Sequence, residues 1–344
     1  MTNRLERVLA LHFDPVQGSP YWCERAAVLG FDPRTRIACV GDLDLLGPFD
    51  LDLLTARPVA DFMPRGLRHA GPLVLAETGG TTGAPKATAY TPADFHAAFV
   101  QPFFDCVDGA RIFNGGHWLW LGPSGPHVIG RAAQRIAALS TGADAFSVDF
   151  DPRWFRRLTP GSLARTRYLD HLLEQALRVV DQQDIRYLFT TPVVLERLVA
   201  ALGSAARERV RFVYLGGMAI DADLLLALGA ALPAADFLCG YGNTLFGVCH
   251  EVRAGRPAAG VRRYFPDGER LLARICCAST STPVDYGERG QVVMFRLDDS
   301  MLLPVVRERD HALRIAPAGE GATDGFADPR PPETASLHID HGIY

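Results

Sequence analysis

The sequence predicts an α/β fold built as two α/β subdomains with mixed sheets. Three observations carry that expectation. Between residues 143 and 239, short apolar runs alternate with capped segments of helical periodicity, the pattern of strands joined by crossover helices and so of at least partly parallel sheets. A glycine- and threonine-rich loop, Glu77 to Lys86, sits between two short apolar segments at 72–76 and 87–90. A further pair of apolar runs, 291–296 and 301–306, reads as two more strands. With 344 residues and 48% hydrophobic content, the chain can bury one large core or two modest ones.

In chain order, residues 1 to about 70 are broken up by Pro15, Pro20, Pro33, Pro48, Pro58 and Pro64, leaving room for a helix at 23–29. Phe13, Tyr21 and Trp22 are packing residues on this reading. After the glycine loop and its return strand, Thr91-Pro92-Ala93-Asp94 starts a helix, with a hydroxyl cap, proline at the first position and an early acid. The loop therefore lies between two strands, unlike nucleotide loops that run from a strand into a helix. Asn114 to His127 allows two readings: a flat-walled cavity for a planar ligand, with His117, Trp118 and Gly122 in its wall, or a tryptophan-rich core loop. A helix is expected at 128–139, then strand 143–148, helix 172–180, strand 186–189, a helix from Thr191 to Leu202, strand 210–215, helix 221–232 and strand 237–239. Ligands of such sheets gather at the carboxyl ends of strands, which here carry Gly216-Gly217-Met218 and Gly240-Tyr241-Gly242-Asn243-Thr244. Boundaries are expected at 1–209 for a first subdomain with the glycine loop, 210–315 for a second, and 316–344 for a tail in which only 335–340 resembles a strand.

Charge and composition exclude several functions. A net charge of −4 with scattered basic residues argues against a nucleic-acid surface or a polybasic membrane patch. The first residues lack the pattern of a signal peptide and no run approaches the roughly 18 apolar residues of a membrane span, so a cytoplasmic location is expected. Seven cysteines without metal-ligand spacing read as buried free thiols, and no metal site is expected from them.

The glycine loop holds the chemistry. Glycines let backbone N–H groups turn toward an anion, threonine hydroxyls add donors, and lysine adds a point charge. Of 35 basic residues only Lys86 is lysine. In a chain so biased to arginine, that residue points to chemistry a planar guanidinium cannot do. A Walker-type loop is excluded, because its lysine follows glycine and precedes serine or threonine, whereas Lys86 follows Pro85 and precedes Ala87.

Thr78 through Lys86 resembles the Thr-Ser-Gly-Thr-Thr-Gly-x-Pro-Lys loop of the adenylate-forming superfamily, with Gly79 in place of serine. Gly216-Gly217 looks like that family's adenine-contacting pair, and Tyr241-Gly242-Asn243-Thr244 matches its Tyr-Gly-x-Thr-Glu motif with Leu245 in place of glutamate. Gly287-Glu288-Arg289-Gly290-Gln291 is similar to its Gly-Glu-x-Gly-Glu turn, and Asp310 to its ribose-binding aspartate. Five patches in order, over residues 70 to 315, look most like the phenylacetate-CoA ligase branch. An ordinary connector loop would leave the other four as coincidence.

The resemblance implies the large N-terminal domain of the adenylate-forming fold, ATP as cosubstrate and a small carboxylic acid, aromatic or bulky, as substrate. Thr78, Gly80, Thr81, Thr82, Gly83 and Lys86 would cradle phosphate; Gly216, Gly217, Tyr241, Gly242 and Asn243 would bind the adenine part; Thr244 would meet the α-phosphate or carboxylate; Asp310 would clamp ribose. His117, Trp118, Gly122 and Met218 would line the acid pocket. The family's Mg2+ contact falls on Leu245, and a hydrocarbon side chain cannot ligate a hard cation; Glu251 is a nearby acid. Only residues 311–344 follow Asp310 and none is lysine, so the resemblance leads one to expect no separate C-terminal catalytic domain and none of its lysine. Losing one such charge costs about 3 kcal/mol of barrier, or roughly two to three orders of magnitude in rate. A partner reductase or acyl-acceptor enzyme is then expected for the next step, in a secondary-metabolic setting like that of griseoluteic-acid-type phenazines, and a homodimer is allowed. The competing expectation is a non-catalytic binder of AMP, an acyl-adenylate or an aromatic metabolite.

Overall fold

The apolar residues on either side of the glycine loop pair as an antiparallel hairpin of β1 (Val74–Glu77) and β2 (Ala87–Tyr90), with Val74 opposite Tyr90 and Glu77 opposite Ala87. The structure is a computed structural model that describes residues 2–80, 83–319 and 323–332. The chain divides into two units, and the hairpin belongs to the one made of residues 2–98, 244–247 and 265–332; residues 99–243 and 248–264 make the other.

The second unit is a doubly wound sheet. Its strands are β3 (His117–Gly122), β4 (Phe146–Asp149), β5 (Ile185–Thr190), β6 (Phe212–Leu215), β7 (Asp236–Asn243) and β8 (Gly247–His250), in the order β4-β3-β5-β6-β7-β8. All pairings from β4 through β7 are parallel. Helices Val128–Thr141, Leu163–Gln182, Pro192–Ala201 and Ala222–Ala231 make the crossovers. Two of these starts are set by side-chain caps: Ser162 accepts from the Arg165 N–H, and Asp221 accepts from those of Asp223 and Leu224. The loop expected at 117–122 is instead strand β3, between β4 and β5, whose residues 118–122 are all buried. Strands covered on both faces lose the alternation that marks a half-buried strand. The helix expected at 172–180 runs from Leu163 to Gln182, and the boundary expected at 209/210 lies inside this unit, between helix Ser204–Arg209 and β6. Phe103, Phe113, Trp118, Tyr187, Phe212 and Tyr214 make an aromatic core, in which the Phe103 ring lies 5.3 Å from Tyr214 and 5.8 Å from Phe212. A two-residue strand, β9 (Arg263–Tyr264), follows.

In the first unit, β10 (Leu271–Cys276), β11 (Arg289–Leu297), β12 (Leu302–Ile315) and β13 (Gly325–Arg330) are successive antiparallel neighbours. Helices Thr2–His12 and Pro20–Leu29 pack here, and the Trp22 indole N–H donates to the Leu302 carbonyl at 3.1 Å. Phe13, Tyr21 and Trp22 are buried, in agreement with packing roles. The strand at 325–330 lies inside the expected tail, whose own candidate at 335–340 falls outside the described residues. Of the seven cysteines, Cys239, Cys249 and Cys276 are buried as expected, whereas Cys39 is exposed. Among the described residues no helix is long and apolar enough to cross a membrane.

Candidate nucleotide site

The loop of the hairpin closes on itself. The Thr78 N–H donates to the Lys86 carbonyl at 3.0 Å, and the Lys86 N–H donates to Thr78 Oγ1 at 2.9 Å. Gly80 holds φ +67°, and a Cβ there would stand 3.1 Å from the Gly83 carbonyl oxygen and 3.2 Å from Pro85 Cγ, so this position needs glycine on two counts. Gly83 is exposed with open space around its Cα. Thr81 and Thr82 lie outside the described residues. The Lys86 side chain is only 18% exposed, and its ammonium stands 3.6 Å from Asp52, which is 89% exposed. An exposed carboxylate at that range is a weak and exchangeable partner. The lysine's charge is thus only weakly compensated by this contact.

Thr244 belongs to the same unit as the hairpin. Its carbonyl accepts from the Tyr90 hydroxyl at 2.8 Å, and Tyr90 is the last residue of β2. Leu245, where the resemblance places a metal-binding glutamate, is 2% exposed and part of the core. Among the described residues no three His, Cys, Asp or Glu side chains converge as a metal cage. Asp310 sits on β12 where four residue steps, Arg307 to His311, face two steps of β11, Gln291 to Val293. Bulges of this kind re-aim side chains and recur beside binding sites. The Gln291 amide reaches across to the Glu308 carbonyl at 2.8 Å and fixes it. The turn ahead of β11 has Gly287 at φ +87°, and a Cβ on Gly290 would meet the Cys276 carbonyl oxygen at 2.5 Å.

In the second unit the carboxyl ends of β3, β5 and β6 are stitched together. The Thr190 hydroxyl donates to the Leu121 carbonyl at 2.8 Å, and the Gly216 N–H to the Thr190 carbonyl at 3.3 Å. Gly122, Gly216, Gly217 and Met218 share this edge, with Gly217 at φ +79°. At the end of β7, Tyr241 has its ring 5.9 Å from that of Tyr264, and Gly242 and Asn243 complete the strand. Strand order reverses between β3 and β5, and open α/β sheets bind ligands at the carboxyl side of such a reversal.

His117 and Trp118 are not on that edge. They begin β3, so the parallel run of the sheet puts them at its amino side, where the His117 N–H donates to the Asp184 carbonyl at 2.8 Å. Trp118 is 2% exposed, and its indole N–H donates to Ser140 Oγ at 2.8 Å. The four residues expected to line one pocket are therefore split between opposite edges, and Trp118 is core. Missed by sequence reasoning is a depression of about 210 Å3 at the carboxyl ends of β3 and β4, lined by Ser124, His127, Asp149, Phe150, Asp151 and Arg153. Burial, then the charge of Arg153, pushes His127 below the usual imidazole range. The signal for this site was the Ser124-Gly125-Pro126-His127 turn itself, which opens helix Val128–Thr141.

Solved structures can be set beside this geometry. The open conformation of 2-hydroxyisobutyryl-CoA ligase, in complex with 2-HIB-AMP and CoA, matches with a TM-score of 0.66 and 15% identity over 94% of this chain and 72% of that one. The fold is that of the large domain of adenylate-forming enzymes. The same ligase in its thioesterification state matches with a TM-score of 0.65, 16% identity and 94% of this chain, which spans 65% of that chain's length. An ATP-bound RpMatB-BxBclM chimera matches with a TM-score of 0.50 and 17% identity over 74% of this chain and 47% of that one. No protein-family model and no curated protein sequence matches. At such identities the likeness is one of fold, and the chemistry must be argued from the residues above.

Proposed function

We propose that this chain activates a carboxylic acid by transferring AMP to it from ATP. In that reaction a carboxylate oxygen attacks the α-phosphorus, the bond from that phosphorus to the bridging oxygen breaks, and pyrophosphate leaves. Charge builds on phosphoryl oxygens, so fixed donors and cations do most of the work. The observation that carries the reading is Lys86, the one lysine of the chain, closing a glycine hairpin and paired, among the described residues, with an exposed carboxylate. In this reading the hairpin, with Thr78, Gly80, Thr81, Thr82, Gly83 and Lys86, takes the β- and γ-phosphates. Thr244 takes the α-phosphate or the acid, Asp310 the ribose hydroxyls, and Gly216, Gly217, Tyr241, Gly242 and Asn243 the adenine part. Mg2+ would arrive with ATP, and the buried Leu245 does not fit a role as its ligand.

The acid is proposed to be aromatic or bulky, after the phenylacetate-CoA ligase branch, and its acyl group to pass to a partner reductase or acyl-acceptor enzyme in secondary metabolism. The place proposed for such an acid is the depression lined by Ser124 and His127, rather than the buried Trp118. ATP–pyrophosphate exchange against a panel of aryl and hydroxy acids tests the reading, with Lys86→Ala as control. Acid-dependent exchange that Lys86→Ala abolishes is expected; none at high protein concentration overturns catalysis.

One observation favours a second reading. Because Leu245 is built into the core, the chain could instead be a binder of AMP or an acyl-adenylate. Calorimetry would then register AMP uptake without magnesium-dependent turnover.

A further inference from the structure

Three consecutive carbonyls, those of Thr244, Leu245 and Phe246, are each caught by a different buried side chain. Thr244 takes the Tyr90 hydroxyl at 2.8 Å, Leu245 takes Arg296 Nη1 at 2.9 Å, and Phe246 takes Arg270 Nη2 at 2.7 Å. Gly247 ends the segment at φ +102°, where a Cβ would stand 2.6 Å from the Ala98 carbonyl oxygen. The strip has no freedom to slide.

The same side chains hold the return strand of the hairpin. Arg296 is fully buried, and all five of its N–H groups have acceptors: Asp298 Oδ2 at 2.6 Å, Thr88 Oγ1 at 2.8 Å, the Leu245 carbonyl, the Ala89 carbonyl at 2.8 Å and Ser300 Oγ at 3.2 Å. Its guanidinium lies 3.8 Å from the Tyr90 ring centroid. Asp298, also fully buried, pairs with both arginines, accepting from Arg270 Nε at 2.8 Å and Nη2 at 2.9 Å. Burial alone would raise the Asp298 carboxyl, but the two guanidiniums more than offset it and hold it below its usual range.

Buried ion networks of this kind seldom add stability over well-packed hydrocarbon, and their best-attested use is to specify one arrangement. What this one specifies is the distance from residues 88–90, two to four positions after Lys86, to Thr244. We propose that Tyr90, Arg296 and Asp298 are positioning residues that lock Thr244 to β2, the strand that Lys86 leads into, so that the two meet one nucleotide in a fixed geometry. The proposal rests on the nucleotide reading given above.

Tyr90→Phe is the sharpest probe, because it deletes only the hydroxyl and leaves the ring against Arg296. Tyr187→Phe is its control, since that hydroxyl is likewise buried and donates to the Gly115 carbonyl at 2.6 Å in the other unit. Two quantities are measured on the full chain: hydrogen exchange of the 244–247 amides, and the affinity for ATP by calorimetry. Tyr90→Phe is expected to speed exchange at 244–247 selectively and to weaken ATP binding about five- to tenfold, the scale of one lost hydrogen bond. Tyr187→Phe, with a similar loss of melting temperature, should do neither. Arg296→Lys, which keeps the charge and loses the fork, should reproduce the Tyr90→Phe pattern. Unchanged exchange at 244–247 in Tyr90→Phe overturns the lock. Faster exchange with ATP affinity within about twofold of the parent overturns its role in nucleotide binding. Failure of the parent chain itself to take ATP overturns the nucleotide reading, and with it that role, while the exchange data still report on the lock.

Discussion

The Lys86 ammonium and the Asp52 carboxylate stand 3.6 Å apart, the first nearly buried and the second almost fully exposed. An ion pair so open to water contributes at most about 1 kcal/mol and weakens with salt. A triphosphate therefore has little to displace. Asp52→Asn is expected to tighten ATP binding about two- to fivefold at low salt, with the gain fading as salt rises. Lys86→Ala should weaken it by roughly tenfold or more, since a charge-assisted contact is lost. Calorimetric titration at two salt concentrations checks both; an Asp52→Asn protein that binds ATP less well would mean that the carboxylate orients the lysine rather than competing for it.

Acid should destabilise both units in the same window. His12 is buried, which with the nearby Arg296 charge outweighs its bond to the Asp298 carbonyl and the fields of Asp94 and Asp298, and pushes it down to about 4. That carbonyl can only accept, so Nε2 carries the proton and Nδ1 faces Ser19 Oγ at 2.7 Å. His250, in the other unit, is pushed down by burial to about 3 and lies 2.6 Å from the Tyr214 hydroxyl. Both are bases whose folded value is depressed, so their neutral forms contribute stability fully above the unfolded value near 6.5. That contribution drains away as pH falls toward 4, by up to about 1.4 kcal/mol per pH unit for each histidine. Glu251 and Asp299, which burial raises, act in the opposite sense. Urea unfolding at pH 7, 5.5 and 4.5 should show falling stability, and His12→Gln should flatten the slope; a stability constant over that range would contradict the burial of both rings.

Restoring the glutamate at position 245 should not restore a metal site. Leu245 is 2% exposed and its carbonyl is bonded to Arg296, so a carboxylate there would be desolvated within the core. Leu245→Glu is expected to cost about 3 kcal/mol or more, beyond what most single substitutions do. Leu245→Met, similar in volume, should cost less than about 1.5 kcal/mol. Thermal melts with and without Mg2+ decide the matter, because a working metal site would recover stability when the ion is added.

The crossover region was legible where a helix start carries its own cap and where strands are continuous apolar runs: Asp221 accepts from two N–H groups, whereas the helix that Ser162 caps was expected nine residues too late. The glycine hairpin was legible for a local reason too, its glycines and its lone lysine between two apolar runs. Trp118 to Gly122 read as loop because glycine and proline flank them, and nothing local reveals that both faces are covered. The amino-edge position of His117 was hidden too, since strand polarity is a property of the sheet. Leu297-Asp298-Asp299-Ser300 falls between the two expected strands 291–296 and 301–306, yet Asp298 and Ser300, like Arg296 before them, have no exposed surface. An arginine at the end of the apolar run Val292 to Phe295 was the one hint, and its partners, Thr88, Ala89 and Leu245, are too distant in the chain to be inferred.

Two glycines of the same loop should respond oppositely to the same change. At Gly80 an alanine must adopt φ near +67° and press its Cβ against the Gly83 carbonyl and Pro85, so Gly80→Ala is expected to lose about 1–2 kcal/mol or to reshape the loop. At Gly83 nothing lies within 4 Å of the added carbon, and alanine there should be neutral or stabilise by up to about 1 kcal/mol by restricting the unfolded chain. If the loop is a phosphate cradle, however, Gly83→Ala places a methyl group where backbone must approach the ligand, and ATP binding should weaken although stability does not. Melting temperature and ATP affinity, measured on both variants, separate the two effects. A Gly83→Ala protein that is as stable as its parent and binds ATP equally well would show that residue 83 stands clear of the phosphates, and would confine the cradle to Thr78, Gly80 and Lys86 among the described residues.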